Sequence, residues 1–333
     1  MADFALVLYS KKKEDNTWNG IVKSILGWYK EIFMKESPAG NVEKIELYNN
    51  TSLYLIYLPY DLDTLKGMSK AKLKSINDFI FRTCRENNIY SCIVCDKLLE
   101  IGGIGSSKPD KFTGRCLYES LLLNIMDEIY SSRGIRVDCL DISVIEGESF
   151  ETLYSIVKIL SPHVKFMTVV SENKSRAERL LNEIYEETGL AMMITSDRYS
   201  GVKNSDLIIN LGVLNEEDQK IKLKPKAILL NYSEHGVSKL KGENFIINSI
   251  EVKLPLKLMQ KLDKRIFEYV PVLTVAEALV LHKLDIGKSP AGTPADLKTR
   301  EAISAEFGKC GFKITGFCGR HSLIKVESIQ NAI

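Results

Sequence analysis

The chain has 333 residues, 45% of them hydrophobic and 26% charged, with a mean hydropathy of −0.06, proportions that exclude collagen-like, disordered and membrane-bundle classes. Its 45 Lys and Arg stand against 43 Asp and Glu, a net charge of +2, which excludes a strongly basic nucleic-acid binder. At roughly 100–200 residues per domain the length suggests two domains.

The first residues, MADFALVLYSKKK, carry Asp3 before a short apolar run and lysines after it, the reverse order of a signal peptide. No apolar run approaches the ~18–20 residues of a transmembrane helix. The 7 cysteines are odd in number and scattered, so a cytoplasmic protein with reduced thiols is expected.

In chain order, residues 4–10 read as a strand, and residues 18–34 as a helix through Ile21, Ile25, Trp28, Tyr29 and Phe33. Residues 44–60 offer two strands around the turn signal Asn49-Asn50. A helix over 69–88 buries Leu73, Ile76, Phe79 and Ile80, and a strand follows over 89–96. A glycine-rich loop then leads to a helix over 115–131 with Leu117, Leu121, Ile125 and Ile129 on one stripe, and Gly134 follows its end.

From Val137 onward the pattern is more regular. Strands over 139–145, 165–170, 191–195, 206–212 and 227–233 alternate with helices over 150–160 and 174–187. Short apolar strands alternating with helices specify a parallel sheet covered on both faces. Beyond Leu254 the reading is helical, over 256–267, 274–284 and 297–307, closing on a strand at 312–318.

Residues 141–233 resemble the Rossmann domain shared by glutamyl-tRNA reductases and shikimate dehydrogenases. The resemblance is carried by DISVIEGESFETLYSIVKIL, by MTVVSENKSRAERLLNEIYEETG and by NSDLIINLG. Ser171 with Arg176-Ala177-Glu178 matches the end of that family's second strand and the helix after it. Ser205-Asp206, Asn210 and Gly212 match its fourth strand. The resemblance implies a dinucleotide site at Glu146, Gly147, Glu148, Ser171, Asn210 and Gly212.

The family's first strand runs into G-x-G-x-x-G, whose glycines allow a tight turn and close approach to a pyrophosphate. Here those positions hold Glu146, Glu148 and Glu151, with a displaced Gly147. A carboxylate ~6 Å from a phosphate charge costs ~3 kcal/mol at an effective dielectric of ~20. Glu172 stands where NADP-dependent members carry an arginine. The expectation is a degenerate site without normal NAD(P) binding. Glu148 and Glu151 also read as acids in a first helical turn, where the helix dipole favours them.

Other candidates carry less. The loop Gly102, Gly103, Gly105, Ser106, Ser107 and Lys108, between a strand and a helix, could cradle an anion through backbone N–H groups. Cys92 and Cys95 form a C-x-x-C, and Cys310, Cys318 and His321 a loose cluster; both read as core or strand residues, so no metal is expected. Cys84 has the spacing of the reductases' nucleophilic cysteine but lies late in a helix without the rest of that motif. Gly287-Lys288-Ser289 fails as a phosphate loop because Pro290 follows, and Asp296 or Thr293 caps the next helix. Lys66, Lys70, Lys72 and Lys74, and Lys220, Lys222, Lys224 and Lys226, read as solvated faces. His235 follows the fifth strand of the regular half. No catalytic residue is assigned.

The sequence therefore specifies an α/β protein: an N-terminal α/β domain over 1–133, a Rossmann-like doubly wound parallel sheet over 134–254, and a C-terminal helical segment over 255–333 packing back on both. Three functions stay open: a dehydrogenase-like ligand-binding or regulatory protein without a cofactor, an oxidoreductase holding NAD or NADP atypically, or a protein- or RNA-binding module. The expected partner is a small molecule or protein in the interdomain cleft, with a homodimer open and neither membrane nor nucleic acid expected.

Overall fold

The computed structural model describes residues 3–10, 41–48, 51–102, 104, 110–130, 134–214, 218, 221–233, 237, 244–286, 296–319 and 323–332. The helix expected over 18–34 lies outside them. The chain divides into two compact units, Met1–Thr113 with Leu256–Ala291, and Gly114–Pro255 with Gly292–Ile333. Both units are thus discontinuous in sequence. The first break falls at Thr113, against 133 in the sequence reading, and the stretch from Leu256 onward, expected to pack back on both domains, is divided between the two units.

In the first unit, strands β1 (Phe4–Tyr9), β2 (Asn41–Tyr48), β3 (Thr51–Leu58), β4 (Ser91–Val94) and β5 (Asp110–Lys111) form one sheet in the order β2-β3-β1-β4-β5. The β2–β3 hairpin is antiparallel and every other pairing is parallel. Central β1 is buried at all six positions, as a parallel strand covered on both faces must be. Ser69 caps the helix Lys70–Glu86, which buries Leu73, Ile76, Ile80 and Cys84. Burial pushes the Cys84 thiol up to about 11. Cys92 and Cys95 are core residues, the first in β4 and the second at the cap of the helix Asp96–Leu99.

The helix Val272–Lys283 completes this unit. Leu273, Val275, Ala276, Ala278, Leu279 and Val280 are buried, together with polar Thr274, Glu277 and His282. A helix that is apolar all round is an interior helix. Its polar groups are held: the Glu277 carboxylate accepts the Thr113 N–H (2.9 Å), and His282 Nε2 lies 2.9 Å from Ser91 Oγ. The imidazole stacks on Phe4 at 5.2 Å and meets the edge of Phe112 at 5.7 Å. Ser91 is completely buried and opens β4, so the pair lies at the amino ends of the parallel strands. It docks the helix on the sheet.

In the second unit, β6 (Asp141–Ile145), β7 (Phe166–Val170), β8 (Met192–Thr195), β9 (Leu207–Asn210), β10 (Ile228–Asn231) and β11 (Phe245–Ile247) form an all-parallel sheet. Their order is β11-β10-β9-β6-β7-β8. Counted along the chain from the β8 edge this is 3-2-1-4-5-6, the doubly wound order of Rossmann domains. The helix Phe150–Leu160 is capped by Ser149, which accepts the Thr152 N–H at 3.2 Å, and the helix Lys174–Thr188 by Asn173. Gly189, at φ +72°, ends the latter, a left-handed conformation that favours glycine. A short helix, Arg198–Val202, leads into β9.

Three further strands, β12 (Ser249–Lys253), β13 (Lys313–Cys318) and β14 (Leu323–Lys325), make a separate antiparallel sheet, β12-β13-β14. The helix expected over 115–131 is interrupted at Leu121, giving Arg115–Ser120 and Leu122–Tyr130. That over 256–267 is cut to Leu256–Met259 followed by a 3-10 turn, because Asp263 turns back to accept the Arg265 N–H (2.9 Å). Asp296 caps the helix Leu297–Lys309. Among the described residues no helix is long and apolar enough to cross a membrane.

Burial holds the His282 imidazole down to about pKa 4, against 6.5 when unfolded. Between these values the unfolded chain binds more protons, so stability rises with pH from 4 to 6.5 and is lost as pH falls through that window. At ~1.4 kcal/mol per pH unit the loss approaches ~3 kcal/mol. Urea unfolding at pH 7 and pH 4.5 is expected to show a larger fall in stability for the native chain than for His282→Gln. Equal falls would exclude this origin.

Candidate functional site at the carboxyl edge of the six-stranded sheet

In open α/β sheets, ligands bind outside the carboxyl ends of the strands where the strand order reverses. Here that point lies between β6 and β9, which pair directly. Glu146, Gly147 and Glu148 leave β6 before the Ser149 cap, and Leu211 and Gly212 leave β9. The two turns meet backbone to backbone. A Cβ on Gly147 would stand 2.1 Å from the Leu211 carbonyl oxygen, and one on Gly212 2.5 Å from the Glu146 carbonyl oxygen. Glycine is required at both positions by the neighbouring turn.

Glu146 is fixed at both ends. Its N–H donates to the Val170 carbonyl (2.9 Å), and its carboxylate accepts the Ser171 hydroxyl. Ser171 opens the second strand–helix turn, directly after β7; its N–H donates to the Thr195 carbonyl (2.9 Å), and its Oγ accepts the Asn173 N–H (3.1 Å). Four of the six residues singled out from the sequence, Glu146, Gly147, Ser171 and Gly212, are therefore brought together across three adjacent strands. Glu148 is exposed and precedes the cap, so only Glu151 occupies the first helical turn. The Ser149 side chain, by taking the Thr152 N–H, starts the helix at Phe150, two residues beyond Glu148.

Asn210, the sixth, opens a side-chain amide ladder. Its Nδ2 donates to the Gly212 carbonyl (2.8 Å) and to Asn231 Oδ1 (2.8 Å), while its Oδ1 accepts the Gly212 N–H (3.3 Å). Asn231 Nδ2 in turn donates to Asn248 Oδ1 (2.9 Å). The ladder ties the carboxyl ends of β9, β10 and β11 together and satisfies polar groups that would otherwise be buried unpaired.

Two arginines reach this edge. Arg198 pairs with Asp218, donates to the Val213 carbonyl (3.2 Å) and lies 3.6 Å from exposed Glu172. Arg115 donates to the Tyr232 carbonyl just beyond β10, and to Glu119 (2.7 Å), whose other oxygen accepts from buried Arg300 (2.9 Å). Tyr118 meets the Tyr232 ring edge-on at 4.6 Å and donates its hydroxyl to the Ile247 carbonyl (3.0 Å). Arg176, from the matched Arg-Ala-Glu, covers the ring of Phe150 at 4.0 Å.

Of the proposed anion loop, Gly102 is described, at φ +67°, and Gly103, Gly105, Ser106, Ser107 and Lys108 lie outside the described residues, as do Lys220, His235, Gly287-Lys288-Ser289, Thr293 and His321. Lys66, Lys70, Lys72, Lys74, Lys222, Lys224 and Lys226 are exposed, and Lys224 pairs with Asp206. Among the described residues no group of three or more His, Cys, Asp or Glu could hold a metal ion. The Arg115–Glu119–Arg300 cluster and the Ser91–His282 pair were invisible in the sequence. Each spans over 180 residues, and neither forms a local motif.

No family model and no curated protein matches the chain. Among solved structures, L-tryptophan dehydrogenase from Nostoc punctiforme is 14% identical over 99% of this chain and 86% of that one, with a TM-score of 0.32. Shikimate 5-dehydrogenase from Listeria monocytogenes, in complex with shikimate and NAD, is 10% identical over 82% of this chain and 94% of that one, with a TM-score of 0.31. Delta(1)-pyrroline-2-carboxylate reductase from Thermococcus litoralis, in complex with NADH and L-proline, is 12% identical with a TM-score of 0.28; the match spans 39% of this chain and 40% of that one. The Rossmann-like class of the second unit rests on its own strand order and parallel pairing.

Gly147→Ala is expected to cost ~1–3 kcal/mol or more, the range of overpacking a closed contact. Gly308, in the helix Leu297–Lys309, has open space where a Cβ would lie, so Gly308→Ala is neutral or stabilising by up to ~1 kcal/mol. Thermal unfolding of the two variants compares them directly; equal effects would contradict the clasp. In the charge cluster, Glu119→Ala removes a buried carboxylate that holds both Arg115 and Arg300 and is expected to cost ~3–5 kcal/mol. The buried Tyr232 hydroxyl has no hydrogen-bond partner among the described residues, so Tyr232→Phe changes urea stability by less than ~1 kcal/mol.

Proposed function

We propose that this chain is a dehydrogenase-like Rossmann protein that works without NAD or NADP, as a ligand-binding or regulatory protein. The observation that supports this reading is the Glu146 carboxylate paired with Ser171 beside two turns in backbone contact. Glu146 stands where the related family has its first glycine, with its carboxylate on the Ser171 hydroxyl, and the turns after β6 and β9 are closed on each other. A bound pyrophosphate needs bare backbone N–H groups at a helix amino end. Here Ser149 takes the Thr152 N–H, while Glu148 and Glu151 place negative charge at the same end, which repels phosphate.

The strand order supports a second reading, an oxidoreductase that holds the dinucleotide atypically, because this topology places a dinucleotide across the β6/β9 switch point. Calorimetric titration and thermal shift with NAD, NADH, NADP and NADPH at millimolar concentration separate the two. The first reading expects no heat of binding and no shift in Tm. A saturable isotherm, or stabilisation of several degrees by any of the four, overturns it in favour of the second.

A further inference from the structure

We infer that the chain forms a two-fold dimer through strand β8, joining two six-stranded sheets into one of twelve strands. Among the described residues β8 is the edge strand of its sheet. The Ser171 N–H donates to the Thr195 carbonyl, so Thr195 and, by the two-residue strand period, Met193 turn their backbone groups towards β7. Met192 and Ile194 then turn theirs outward. An antiparallel partner strand centred on Met193 pairs Met192 with Ile194 of the second copy and Ile194 with its Met192. Both are hydrogen-bonded pairs, whereas the two Met193 residues meet on the axis as a close non-hydrogen-bonded pair. That arrangement is self-complementary, as a two-fold interface must be.

The flanking chemistry fits a second copy. Residues 190–196, LAMMITS, contain no charge and no proline, two of the devices that keep edge strands apart. Met193 is 52% exposed at the centre of this edge. On the adjoining helix Lys174–Thr188, Glu183 and Glu187 turn inward to Tyr154 and Lys158 of the helix Phe150–Leu160. Glu178, Leu181 and Tyr185 lie on the opposite side of the helix by its 3.6-residue period, and Tyr185 is 60% exposed. The same axis sets these helices antiparallel. Leu181 then faces Leu181 of the second copy, the Tyr185 hydroxyl faces a Glu178 carboxylate, and Lys174 approaches the negative carboxyl end of the other helix.

Sedimentation of the full chain at ~100 μM, a concentration that fills a dimer of micromolar Kd, tests the proposal. The expected species has twice the 37.6 kDa chain mass. Met193→Lys, at an exposed position, is expected to be a folded monomer by circular dichroism, whereas Val213→Lys, on an exposed apolar residue away from this edge, stays dimeric. Mild oxidation of Met193→Cys is expected to link two chains on a non-reducing gel, well above the background of Val213→Cys. A monomeric native chain, a Met193→Lys variant that remains dimeric, or no excess linkage for Met193→Cys overturns the interface.

Discussion

The contact on which the second unit depends is between two carbonyl oxygens and two missing side chains. The turn after β6 and the turn after β9 cross so closely that Gly147 lies against the Leu211 carbonyl and Gly212 against that of Glu146. This reciprocal seating joins the two central strands beyond the end of their hydrogen-bonded ladder. The polar side chains beside this contact are held: Glu146 by Ser171, and buried Asn210 by Gly212 and Asn231.

Glycine in this position has an internal purpose, which alters how the sequence motif is understood. A Gly-rich turn after a first strand is commonly read as room for phosphate. At Gly147 the neighbouring Leu211 carbonyl by itself requires glycine. The acids around it then need no cationic ligand. Glu146 is satisfied by a hydroxyl, and Glu151 lies in the first helical turn, where a helix dipole favours a carboxylate.

Much of the second unit was legible because its signals are local. The helix expected at 150–160 is Phe150–Leu160, and each of the five expected strands contains an observed one, β6 to β10. Ser149, Asn173 and Gly189 mark helix ends by chemistry that acts within three residues. The strands β11, β12 and β14 were not legible, since no alternation with helices frames them and they gain their stability from partners elsewhere in the chain. Nor was the division into units, which is set by distant pairs such as Glu119 with Arg300 and Ser91 with His282. At the candidate site the residues were found from the sequence, but their mutual occupation was not, because it depends on how two turns cross in space.

The helix Val272–Lys283 has a consequence for how the molecule is made. It belongs to the first unit, yet 142 residues of the second, Gly114 to Pro255, are synthesised before the intervening segment Leu256–Ala291 that carries it. Until His282 reaches Ser91 and Phe4, the sheet of the emerging amino-terminal segment lacks the apolar rod that seals it. A growing chain of this design exposes oily surface on the ribosome for the whole time the second unit is being built. At ~5–20 residues per second that interval lasts on the order of ten seconds or more, long enough for chaperones to engage it. Discontinuous domain order thus sets a delay between the making of the first unit's sheet and of the helix that packs on it.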